Sequence, residues 1–93
     1  MWMRHQWQFK GGYNPKLAAG AAKQGLGQLG IGIAAQGDDW VLGEISDGLV
    51  LMQAMPIGDG SDSHVMVVAA AENEPSLAVC DRLSELIRGA RTL

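Results

Sequence analysis

The chain has 93 residues and is 47% hydrophobic, which suits one domain with a real core and excludes a disordered chain. Ten acidic residues outweigh seven basic ones for a net charge of −3, and the basic ones are scattered, so the basic face that nucleic acid requires is missing. No apolar run approaches the ~18 residues of a membrane span, which argues against a membrane partner.

Only Arg82, Arg88 and Arg91 cluster, and there they suit the negative end of a helix dipole. Cys80 is the single cysteine, so no intrachain disulfide can form. That fits a reducing compartment, and the first residues lack the apolar core of a signal peptide. The expected location is the cytoplasm.

Residues 2–10 alternate. Met3, His5, Trp7 and Phe9 fall on an apolar side, and Arg4, Gln6, Gln8 and Lys10 on a side expected to be solvated. Gly11-Gly12 breaks this strand. Asn14-Pro15 is an N-cap followed by proline at the first helical position, and it opens a helix from Lys16 to Leu29. Ala18, Ala22, Leu26 and Leu29 share one face of it. Gly20, Gly25 and Gly27 weaken the helix by about 1 kcal/mol each, so packing must hold it. Gly30 is a natural stop.

Ile31 to Gln36 reads as a short strand, or as an extension of the helix, with the glycines favouring strand. A turn at Gly37-Asp38-Asp39 leads to a strand from Trp40 to Ser46. Asp47-Gly48 reads as a two-residue hairpin turn needing positive φ. The strand from Leu49 to Met55 is apolar on both sides, which marks a central strand or half of an interface. Pro56 is expected to end it, and residues 57–63 are a loop by composition. His64 to Ala71 is a buried strand. Asn73 is the expected N-cap of a last helix, Ser76 to Ala90, whose Val79, Cys80, Leu83, Leu86, Ile87 and Ala90 form one apolar stripe.

This order gives an α+β two-layer sandwich: a mainly antiparallel sheet of four or five strands with two helices on one face, β-α-β-β-β-β-α or β-α-β-β-β-α. The other face then has nothing to cover it. A symmetric homodimer, sheet on sheet or edge on edge, would do so.

Motifs that would carry chemistry are sparse. Gly25-Leu26-Gly27-Gln28-Leu29-Gly30 matches the dinucleotide fingerprint as a string. It lacks the preceding strand and the following helix that seat a pyrophosphate, so no cofactor is expected. The loop Asp59 to His64 gathers two carboxylates and an imidazole, but turns are made of the same residues. Such a set could bind a metal or a small charged ligand, but the spacing is not that of a calcium loop, and no metal is assigned. His5 could join His64 with Asp59 or Asp62 in a general-base or zinc site if the fold brought them together. Trp2, Trp7 and Trp40 are candidates for a groove or dimer contact, Trp2 because a chain end is a poor place for a core residue, with at least one tryptophan expected in the core.

The candidate ligand-binding residues are therefore His5, Trp7, Trp40, Asp59, Asp62 and His64, with none assigned as catalytic. The sequence reads first as a self-associating binding domain with a further protein or small-molecule partner in an apolar cleft. The rivals are a small enzyme or ligand-binding protein using the Asp59–His64 loop, and an accessory subunit of a larger complex. Convergence of the histidines and aspartates on one pocket would favour the enzyme.

Overall fold

The computed structural model describes residues 1–91. In chain order the elements are β1 (Trp2–Lys10), α1 (Pro15–Gln28), β2 (Gly32–Gln36), β3 (Trp40–Ile45), β4 (Gly48–Ile57), β5 (Asp62–Ala71), a 3-10 turn (Glu74–Leu77) and α2 (Ala78–Gly89). The strands form one antiparallel sheet in the order β1-β5-β4-β3-β2. Both helices cover the same face, so the architecture is the expected α+β two-layer sandwich in its five-strand form. No helix among the described residues is long and apolar enough to cross a membrane.

Helix α1 starts where Asn14 and Pro15 place it, with the Asn14 side chain accepting from the Leu17 N–H at 2.8 Å. Its buried residues are small, apart from Leu26. This lets it approach α2 closely: a Cβ on Gly25 would lie 2.9 Å from Leu83 Cδ1. Gly30, with φ of 71°, turns the chain out of the helix and into β2. The core joins Leu26, Val41, Val50, Met52, Val65, Val67, Leu83 and Ile87, all essentially inaccessible.

Several local expectations are corrected. The β3–β4 turn is Ser46-Asp47, since Ile45 pairs with Gly48. Gly48 has no positive φ; glycine is needed there because a Cβ would stand 1.9 Å from the Ala70 carbonyl oxygen. Strand β4 runs through Pro56 to Ile57. It can do so because β3 reaches no further than Gln53, leaving Pro56 paired only with Ser63 of β5. The loop thus shrinks to a tight hairpin with Gly58 and Gly60 at positive φ, and β5 starts at Asp62 instead of His64.

The last helix is preceded by a 3-10 turn, and Asn73 makes no capping bond with its own side chain. A remote carboxylate takes over. Asp47 accepts from the Asn73 N–H at 2.9 Å, the Asn73 amide at 3.0 Å and the Ser76 hydroxyl at 3.0 Å. These bonds, led by the Asn73 N–H, hold the Asp47 carboxyl below the usual aspartate range. The β3–β4 hairpin is thereby latched to the start of α2.

No tryptophan fills the core. Trp2 and Trp7 are about half exposed and Trp40 is half-buried; Tyr13 is the buried aromatic.

Candidate functional site

The main departure from expectation lies on β1. Its polar side faces α2 and its apolar side faces away from both helices. Arg4 makes a 2.7 Å ion pair with Asp81, and Gln6 donates to the same carboxylate. Gln8 donates to the Ser84 carbonyl at 2.9 Å. Lys10 donates to the carbonyls of Arg88 and Ala90, at 2.9 and 2.7 Å, and lies 4.5 Å from the Tyr13 ring centroid. Burial, with the Arg91 charge second, pulls the Lys10 amine below its ordinary range. The expected solvated side is thus corrected: it docks α2 and satisfies the open carbonyls at that helix's end.

Cross-strand partners share a face, so the register maps the side opposite the helices. One row runs Met3, Ala70, Leu49, Glu44; the next His5, Val68, Leu51, Leu42, Ala35; the next Trp7, Met66, Gln53, Trp40; the next Phe9, His64, Met55; the last Asp62, Ile57. Met3, Trp7 and Phe9 are 70%, 47% and 62% exposed. Within these rows the formally charged side chains are Glu44, at the β3 margin, and Asp62, at the start of β5.

Five of the predicted residues lie on this face, Asp62 at its end and four closer to its middle. His5 and Trp7 stand on β1, and His64 on β5 leans its ring against Trp7, with centroids 4.9 Å apart and planes at 51°. Trp40 ends the same row as Trp7, its indole tucked beneath Gly37, where a Cβ would reach 2.1 Å from Nε1. The histidines do not meet. His64 pairs with Phe9, four strand positions from His5, which puts them roughly 14 Å apart with Trp7 between.

Asp59 lies apart from them in the β4–β5 turn, whereas Asp62 opens β5 on the same face, one row beyond His64. Asp59 accepts from the Ser61 hydroxyl at 2.6 Å and its N–H at 3.0 Å, and these bonds hold its carboxyl below the usual range. Asp62 accepts from the Gly12 N–H at 2.8 Å, tying the start of β5 to the turn after β1. Among the described residues no three His, Cys, Asp or Glu side chains are grouped to hold a metal. The polar loop and the two histidines therefore do not converge on one pocket.

An open groove of about 630 Å³ runs between α1 and α2, lined by Tyr13, Lys16, Leu17, Gln24, Glu85 and Arg91 among others. None of the predicted site residues reaches it.

The sequence does not single out Leu42, Leu51, Gln53 and Val68 as members of the face. The signal was present at residues 49–55, which are apolar on both sides. No protein-family model matches the chain, and no curated protein and no solved structure is significantly similar to it. Function must be argued from the face itself.

Proposed function

We propose that this chain is a binding domain whose helix-free sheet face is its interface, covered by a second copy of itself. The observation that carries the reading is the polarity of β1, which gives Arg4, Gln6, Gln8 and Lys10 to α2 and leaves Met3, Trp7 and Phe9 open. A strand turned to water would do the reverse. Exposed apolar surface of this extent marks an interaction site.

Size supports it. With strands ~4.8 Å apart and ~3.3 Å per residue, the face measures on the order of 20 by 30 Å, so two copies would remove on the order of 1,200 Å² from water, where stable interfaces begin. Composition supports a copy as the occupant. A face whose formal charges are Glu44 and Asp62, at opposite ends of the strands, meets little like-charge repulsion when opposed to itself. Trp7, Trp40 and Met66 have the character of interface anchors. The lone buried cysteine suits action in the cytoplasm.

Light scattering behind size exclusion tests this. The wild type should run as a dimer or larger at high micromolar concentration. Leu51→Glu, in the middle of the face, should lower the mass while leaving the circular dichroism spectrum intact. A monomeric wild type, or a Leu51→Glu protein of unchanged mass, overturns the reading. A wild-type monomer captured by a different protein through the same face would transfer the interface to that partner.

A further inference from the structure

Strand β1 forms one edge of the sheet and β2 the other, and they are guarded very differently. Strand β2 has five residues, a glycine at its start and a register break between Ile33 and Ala35. Short length and bulges are the ordinary means of blunting an edge. Strand β1 runs nine residues in unbroken register with β5 and contains no proline. Its charges do not guard it. Lys10 is drawn under the end of α2, and Arg4 is tied to Asp81.

We propose that the free edge of β1 pairs antiparallel with β1 of a second copy, in the register centred on Gln6. This is an interface separate from the sheet face and does not depend on it. The register is selected by charge and length. Centring on Gln6 opposes Trp2 to Lys10, Met3 to Phe9, Arg4 to Gln8 and His5 to Trp7, using the whole strand. Centring on Trp7 sets Arg4 against Lys10, and centring on Arg4 sets two Arg4 side chains together. Centring on His5 sets imidazole against imidazole, and centring on Gln8 pairs only Gln6 to Lys10 and leaves Trp2 to His5 without partners. The chosen register also repeats between copies the histidine–tryptophan contact that His64 and Trp7 make within one.

The helices permit it. Helix α2 lies over the seam of β1 and β5, because Gln8 donates to the Ser84 carbonyl and Cys80 Sγ lies 3.5 Å from the Val67 carbonyl oxygen. Two copies of α2 would then run about 10 Å apart, the ordinary spacing of packed helices. Asp81 comes near the axis with its oxygens already engaged by its own Arg4 and Gln6.

Cysteine cross-linking in a Cys80→Ala background reads the register directly. On the axis, Gln6→Cys meets itself at a Cα separation of ~5 Å, within disulfide reach. His5→Cys should cross-link to Trp7→Cys in a mixture of the two proteins but not to itself, since diagonal neighbours stand ~7–8 Å apart. Should Gln6→Cys fail to fold, the His5/Trp7 mixture carries the test, and both lie on the open face. Hydrogen exchange on the unmodified protein gives a second readout: every β1 amide is slow if the edge is paired, and alternate ones are fast if it is free. Cross-linking of His5→Cys with itself, or no cross-link together with fast alternate amides, overturns the proposal. Adding Leu51→Glu separates the two interfaces. The Gln6→Cys disulfide should survive it, whereas failure of the face alone would leave this cross-link unaffected.

Discussion

On β5, Val65, Val67 and Ala69 point at the helices and are fully buried, while His64, Met66 and Val68 between them point the other way and stay partly or largely open. Apart from Met52, the covered face is made of small and β-branched residues on β4 and β5, which the alanine- and glycine-rich α1 can approach closely. The uncovered face holds the large residues: Trp7, Trp40, Met55, Leu51 and Phe9. The sheet therefore spends its smallest side chains on its own core and presents its biggest to the outside. A domain stabilised only by its own interior would be expected to do the opposite, since large apolar side chains gain most from burial.

The comparison is broken most sharply at Leu83 on α2, fully buried beneath α1. Leu83→Asp should cost on the order of 4 kcal/mol or more and abolish soluble folding, read by thermal melting. The same chemistry on the outward face, Leu51→Asp, should leave the melting cooperative and change only the mass of the particle. If both melt alike, the two faces are equally part of the fold and their separation is lost.

Lys10→Met sharpens the account of β1. It strips the bonds to the Arg88 and Ala90 carbonyls and should cost about 1–3 kcal/mol, with the end of α2 exchanging faster in hydrogen exchange. A stabilised protein would mean that the inward amine is a burden and not a cap.

Asp47 predicts a pH dependence. Its folded carboxyl titrates below the ordinary aspartate value, so the latch contributes stability above that value and loses it as pH falls through the lower, folded one. Asp47→Asn should flatten this acid limb in urea unfolding at stepped pH and lower the melting temperature by a few degrees near neutrality. An acid limb that persists unchanged assigns it to other carboxylates.

The smallest effect concerns Cys80. Burial pushes its thiol up, so alkylation of the folded protein should be slow and should speed up in denaturant. Rapid labelling of the native protein would place the helix-covered face in frequent contact with solvent.

Much of the fold was legible because its signals are local. Asn14-Pro15 opens α1, the β1 alternation marks a strand, and Val79, Cys80, Leu83 and Ile87 mark the inner face of α2. The site was legible only in part. His5, Trp7, Trp40, Asp62 and His64 share the open face, yet their candidacy rested on residue type, and Asp59 was equally plausible on that ground. Pro56 inside β4 and the capping by Asp47 were hidden, since each depends on a neighbour far along the chain.

Sequence alone determined which residues share a side, because side-chain direction in a strand or helix follows from backbone repeat over a few residues. It could not determine which side of β1 turned inward. Alternation is symmetric under that exchange, and hydrophobicity pointed to the wrong side. The choice was made by α2, whose Asp81 carboxylate and terminal carbonyls demanded donors that Arg4, Gln6, Gln8 and Lys10 could supply.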